Sequence, residues 1–254
     1  MTRSPTTNPD PMRLRSPALL LAALLVVPAA SVDAQAAVEG EVRQLVTFRF
    51  LPGRLGDAMT VFTEQAVPLY EADDDMLSLR ALREVESPVP LDLIVVRSFD
   101  GMTGMDRSNA SLRRIAAERG TSMSAIYAEI SALAVSHDDQ FVELLPELST
   151  GDPAAHRLVA LVWYRTLAGE QDRFERTLAD VVEWERASGI DATTGRFLVS
   201  DGWTHLRFLG FDSLGAYHEY RSSVADTGGQ IYLSGVVAKR REVILAPVPE
   251  LAVR

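Results

Sequence analysis

The chain has 254 residues and no cysteine, and 25 Lys and Arg against 35 Asp and Glu give a formal net charge of −10. Without thiols there is neither a disulfide nor a thiol-linked lipid, so the core alone must hold the fold together. So acidic a balance argues against nucleic acid as a partner, because neutralising phosphates supplies most of that affinity.

Residues 1–36 carry the order of a secretory leader. Arg13 and Arg15 precede an apolar run, Ala18 to Ala30, and Ala34-Gln35-Ala36 offers small residues for cleavage. Met12 is an alternative start. The run falls short of the about 20 residues that a bilayer span needs. The expectation is a cleaved leader and a periplasmic or secreted protein with no membrane association afterwards.

A strand is expected over Val42–Phe50, ended by Pro52-Gly53, and then a helix over Leu55–Glu71 that Pro68 kinks or closes. Asp73-Asp74-Asp75 reads as a solvated turn. Strands at Ser78–Glu84 and Leu91–Phe99 follow, joined by a turn at Ser87–Pro90, and Asp100 is the cap expected for the next helix. Met123, Ile126, Ile130 and Leu133 keep helical spacing before a strand at Gln140–Leu145. Past a joint at Ser149–Ala155, the order returns. A strand at Leu158–Arg165 and a helix at Glu170–Ser188 closed by Gly189 come first. Strands at Arg196–Ser200 and Thr204–Phe211, a helix begun by Asp212-Ser213 and a strand at Glu242–Ala246 complete it.

The second half repeats the first in more than order. Arg49, Leu51 and Gly53 recur in phase as Arg165, Leu167 and Gly169; Phe99-Asp100 recurs as Phe211-Asp212, and Pro146-Glu147-Leu148 as Pro249-Glu250-Leu251. Each half reads β-α-β-β-α-β, the ferredoxin-like arrangement. The division is therefore a leader at 1–36, a first half at 37–148, a joint at 149–155 and a second half at 156–254.

The strand-Pro-Gly-helix opening and the run Phe211-Asp212-Ser213-Leu214-Gly215-Ala216-Tyr217 after a strand resemble the dimeric α/β-barrel superfamily, its NIPSNAP-like and antibiotic-biosynthesis-monooxygenase-like members in particular. The resemblance implies an α+β fold of two ferredoxin-like sheets packed face to face with helices outside. One fused chain then supplies the pair that single-repeat relatives obtain by dimerising. Exposed helices leave room for a homodimer.

Alternation sorts side chains between the helices and the shared space. In the first strand Val46, Phe48 and Phe50 form the apolar phase, which sends Leu45, Thr47 and Arg49 inward; the repeat then sends Leu161, Trp163 and Arg165 inward. In the third strands the same reasoning places Ile94, Val96, Leu206 and Phe208 under the helices and Leu93, Val95, Arg97, His205, Arg207 and Leu209 inside. Arg49, Arg97, Trp163, Arg165, His205 and Arg207 are thus the candidate ligand-binding set. Arginine forks suit a carboxylate or phosphate, and an indole suits a ring. The same residues also fit structural roles, as surface ion pairs and core packing.

The expected function is binding of a small anionic or amphipathic organic ligand between the sheets, without catalytic residues, cofactor or metal. No His-x-x-x-His pair is present, and His137-Asp138-Asp139 reads as a solvated turn. Two enzymatic alternatives follow from the resemblance. A cofactor-independent monooxygenase implies an Asn, a Trp and a His at the pocket, for which Asn109, Trp163 and His205 are available. A haem-binding, chlorite-dismutase-like protein implies an axial histidine on the second half's helices, where His218 is the candidate.

Overall fold

The computed structural model describes residues 40–88, 91–226 and 233–254; the leader expected at 1–36 lies outside them, as do the last two residues of the turn expected at Ser87–Pro90. The first half runs β1 (Glu41–Phe50), α1 (Leu55–Val61), a π-helical turn (Phe62–Ala66), α2 (Val67–Glu71), β2 (Met76–Glu86), β3 (Leu93–Asp100), α3 (Gly101–Glu118), α4 (Met123–Leu133) and β4 (Ala134–Leu144). The second runs β5 (Leu158–Thr166), α5 (Gln171–Ala187), β6 (Ala192–Val199), β7 (His205–Phe211), α6 (Leu214–Asp226) and β8 (Val237–Pro247).

The recurring residues do the same work in both halves. Gly53 and Gly169 take φ of 77° and 78° in the turns after β1 and β5, where a side chain would be strained. The two Pro-Glu-Leu triplets each form one 3₁₀ turn, Pro146–Leu148 and Pro249–Leu251, entered at the same backbone angles. Pro68 stands in the first turn of α2, directly after the π turn. Its missing N–H and its ring forbid the ordinary bond to the carbonyl four residues back, and the helix widens there instead of stopping. Asp100 makes no side-chain cap; Ser122 does cap α4, accepting from the Ala125 amide at 3.1 Å.

All eight strands close into one antiparallel barrel in the order β1-β3-β2-β8-β5-β7-β6-β4. Each half keeps the ferredoxin-like order, β4-β1-β3-β2 and β8-β5-β7-β6. The halves join through their edge strands, β2 to β8 from Leu82↔Pro247 to Glu86↔Ile244, and β4 to β6 from Phe141↔Val199 to Leu144↔Gly195. Closure hides the edges that each four-stranded sheet would otherwise expose. Pairing with β1, from Val46↔Asp139 to Phe48↔His137, makes His137-Asp138-Asp139 part of β4 rather than a turn.

Three apolar clusters result. One packs α1 to α4 on the outer face of the first sheet, around Phe48, Phe62, Leu112, Ile126 and Val95. Another packs α5 and α6 on the second, around Val162, Phe174, Leu178, Leu209 and Tyr217. The third fills the barrel with Leu45, Ile94, Val96, Leu161, Trp163, Leu206, Phe208, Val243 and Leu245. The middle of the space between the sheets is therefore packed core.

Register corrects half of the inward list. Leu45 pairs with Val96, and Leu161 with Phe208; directly opposed residues share a face. Ile94, Val96, Leu206 and Phe208 accordingly point into the barrel, while Arg97, His205 and Arg207 face the helices. β3 is buried along its length apart from Asp100, and β7 throughout. A strand covered on both faces is apolar in both phases, so alternation carried no information there.

Candidate functional site

The six candidate residues divide among four places. Trp163 lies in the barrel, where its Nε1 donates to Gln140 Oε1 at 3.0 Å and Gln140 Nε2 donates to Asp138 Oδ2 at 2.8 Å. Arg165 stands at one rim and spends its fork on the carbonyls of Gly202 and Asp201, at 2.7 and 2.8 Å. Arg49 is exposed at the same end, since β1 and β5 run in the same direction.

His205 and Arg207 belong to the second helical layer, and both are occupied. Arg207 is 1% exposed and pairs with Glu185 of α5, itself fully buried, through Nη1 to Oε1 at 3.0 Å and Nη2 to Oε2 at 2.5 Å. The Tyr220 hydroxyl adds a bond to Glu185 Oε1 at 2.6 Å, and Arg207 Nε donates to Thr194 Oγ1 at 3.2 Å. Burial works against this guanidinium's charge, but Glu185 outweighs it and holds the proton more firmly than usual. His205 Nε2 lies 2.8 Å from Glu175 Oε1, and Glu175 also takes Arg196 at 2.7 to 3.0 Å. Burial, against the pull of Glu175 and with some help from Arg196, keeps His205 below its ordinary value. A neutral ring bonding a carboxylate is a packing device here, with no face left for substrate.

Arg97 is different. It is 6% exposed and faces the first helical layer, where a cavity of about 340 Å³ opens between sheet and helices. Its Nε donates to Gln44 Oε1 at 2.9 Å, its Nη2 bonds the same oxygen, and Gln44 Nε2 donates to Asp139 Oδ1 at 2.7 Å. The rings of Tyr70 and Phe99 lie 5.6 and 5.2 Å from the guanidinium carbon. Among the described residues Arg97 has no carboxylate within 4.0 Å, and its Nη1 is buried without a hydrogen-bond partner. An unpaired buried cation costs several kcal/mol; two rings and one amide offset only part of that.

The rest of the cavity wall suits a flat organic body. Phe48, Phe62, Val46 and Val95 supply apolar surface, and the hydroxyls of Tyr70 and Tyr127 meet at 2.9 Å. Burial, reinforced by Tyr127, pushes Tyr70 far above a phenol's usual range, so its hydroxyl stays protonated. Asn109 of α3, Ser131 of α4 and His137 of β4 add polar groups. Gln44, Tyr70, Tyr127 and Asp139 were missed as site residues. One signal was legible: Gln44 interrupts the apolar phase Val42, Val46, Phe48, Phe50 of β1.

No protein-family model and no curated protein matches the chain. Solved structures do match. A monooxygenase candidate from Lactobacillus acidophilus aligns over 85% of this chain and 96% of its own at 12% identity, with a TM-score of 0.59. An anthrone oxidase-like protein aligns over 84% and 93% at 12% identity, TM-score 0.58. A variant of the chlorite dismutase from Candidatus Nitrospira defluvii aligns over 84% and 92% at 9% identity, TM-score 0.55.

The chain has the dimeric α/β-barrel fold. In this dimeric α/β barrel both halves come from one polypeptide, as the repeat implied. Identities of 9 to 12% carry the fold and no activity. A haem reading does not fit the residues present: His218 is exposed on α6, its ring tilted against that of Tyr217 at 5.2 Å. Among the described residues no group of three or more His, Asp or Glu side chains is placed to hold a metal ion, and no helix is long and apolar enough to cross a membrane.

Proposed function

We propose that this α/β barrel binds a small organic anion in the cavity between the first sheet and its helices, with Arg97 as the anchor. The carrying observation is the buried Arg97 Nη1 that no group among the described residues satisfies, beside an aromatic-walled cavity of about 340 Å³. That volume is at the small end of ligand sites. A carboxylate on Arg97 would replace the missing counter-charge, and Tyr70, Phe48 and Phe62 would cover a ring. The ligand site thus moves from the space between the sheets to the space between one sheet and its helices. Calorimetric titration with 1-naphthoate tests this: the wild type binds, and Arg97→Gln weakens binding about 10- to 100-fold, the worth of a charge-assisted hydrogen bond.

One observation favours a second reading. Asn109 and His137 line the same cavity as Arg97, a grouping that suits a cofactor-independent oxygenase acting on an enolisable aromatic substrate. Trp163 and His205, which the resemblance offered for that chemistry, lie elsewhere. Oxygen uptake with anthrone, lost in Asn109→Ala and Arg97→Gln, would support this reading over simple binding. We also read the protein as exported and periplasmic or secreted, so the isolated chain should begin at Ala37. Self-association into a homodimer through the outer helices is part of the same proposal, and light scattering of the exported protein tests it.

A further inference from the structure

A second group of cations sits at the barrel rim, away from Arg97. β5 and β8 pair Trp163 with Arg241 and Arg165 with Lys239. The second of these is a like-charge pair directly across two strands, an arrangement that repels. All three cations gather on one indole: Lys239 Nζ lies 5.3 Å, Arg165 5.5 Å and Arg241 5.2 Å from the Trp203 ring. Arg241 also stacks on Trp163 at 4.0 Å, so rings cover its faces and leave its in-plane N–H groups to find partners.

Those partners are missing among the described residues. Among the described residues Arg241 Nε is buried without a hydrogen bond, and neither Arg241 nor Lys239 has a carboxylate within 4.0 Å. The neighbouring acids are engaged with other cations or distant, and among the described residues Glu242 Oε1 is itself buried without a hydrogen bond. Glu242 pairs with Arg240 at 2.8 Å, with Arg221 at 4.0 Å; Asp138 accepts from Gln140 and reaches Arg241 only as a more remote charge. Glu86 lines the same groove beyond ion-pair distance. Arg165 differs in role: its fork ties the loop at Gly202, whose φ is 72° and where an added Cβ would stand 2.9 Å from Arg165 Nη2. It holds Trp203 in place.

The groove beside these groups measures about 620 Å³ and is lined by Trp203, Lys239, Arg241, Arg240 and Glu86 among others. We infer that this rim is a second ligand site, for a small multivalent oxyanion that bridges Lys239 Nζ and the in-plane donors of Arg241. Such an anion would relieve the Arg165–Lys239 repulsion and satisfy Arg241 Nε at once. It would do so on a chain whose net charge of −10 repels anions elsewhere, which makes the local cluster the selective element.

Inorganic pyrophosphate and citrate are the probes, and indole emission is the readout because Trp203 and Trp163 border the site. At low salt at least one probe should perturb emission saturably. Lys239→Gln should weaken it about tenfold, as loss of one charge-assisted contact does, while Arg97→Gln leaves it unchanged. Lys239 is the sole lysine, so acetylation by acetic anhydride, mapped by mass spectrometry, reads the same site in the unaltered protein. Bound probe should slow it. Saturable, Lys239-dependent binding with protection establishes the site. Absence of saturation by both probes, equal affinity in Lys239→Gln, or unprotected acetylation would overturn it.

Discussion

The two halves treat a buried arginine in opposite ways. Arg97 on β3 and Arg207 on β7 both leave the third strand of their half toward the helices, and both are nearly inaccessible. Arg207 meets a carboxylate in bidentate geometry, with a tyrosine and a threonine completing the shell. Arg97 meets a neutral amide and two aromatic rings, with one nitrogen unspent beside a cavity. The second half also has a cavity, about 360 Å³, but Arg207, the buried arginine in its wall, is already neutralised. Duplication preserved the frame, and the partner chosen for one cation separates a closed helical layer in the second half from an open one in the first.

The largest effect should come from breaking the closed pair. Glu185→Ala leaves Arg207 buried without its counter-ion and should cost roughly 3–5 kcal/mol, measured by urea unfolding. Arg97→Met, by contrast, removes a cation that the protein leaves uncompensated. Its stability should stay within about 1 kcal/mol of wild type or rise, because replacing a poorly paired buried charge by an apolar group is often neutral or better. A loss as large as that of Glu185→Ala would mean that Arg97 too is structural.

Between these lies a double substitution that makes one half imitate the other. Gln44→Glu combined with Asp139→Asn places a carboxylate where the Gln44 amide now meets Arg97 Nε at 2.9 Å, and the new amide at position 139 donates to the oxygen that would otherwise face the Asp139 carboxylate. The unfolding midpoint should rise, and binding of 1-naphthoate should be lost, because the anchor becomes a closed ion pair. Binding that survives this double substitution would separate the ligand from Arg97.

The smallest effect is a pH dependence confined to the second half and the joint. His156 lies between Asp191 and Asp212, with ring nitrogens 2.9 and 3.0 Å from their carboxylates. Partial burial lowers its proton affinity, but the bonds and charges of the two aspartates outweigh that, so it stands above its ordinary 6.5. The raised value means the folded state holds the proton longer than the unfolded chain. The stabilisation is therefore complete below pH 6.5 and fades as pH rises through the folded value. Comparing melting temperatures of wild type and His156→Gln across that interval should show a gap that narrows toward alkaline pH. A constant gap would mean the proton plays no part.

Much of the frame was legible because it rests on local signals. Turn glycines at Gly53 and Gly169, the Pro-Glu-Leu triplets and the apolar phase of β1 each announce their structure without long-range information. The orientation of β3 and β7 was not legible, because both faces of those strands are covered and only pairing, Leu45 with Val96 and Leu161 with Phe208, settles which way Arg97 and Arg207 point. Nor could spacing reveal that Glu185, 22 positions before Arg207, reaches it while no carboxylate among the described residues reaches Arg97. A lone arginine in a strand reads the same whether its counter-ion is present or absent. Its helix-layer partners decide, and they are set by packing.

Native mass spectrometry of the protein taken from its own cells tests the central claim most directly. The account predicts that wild type carries a small organic anion, released on denaturation, and that Arg97→Gln prepared in the same way carries none. An equal load on both proteins, or an unliganded wild type that also ignores 1-naphthoate, would contradict it.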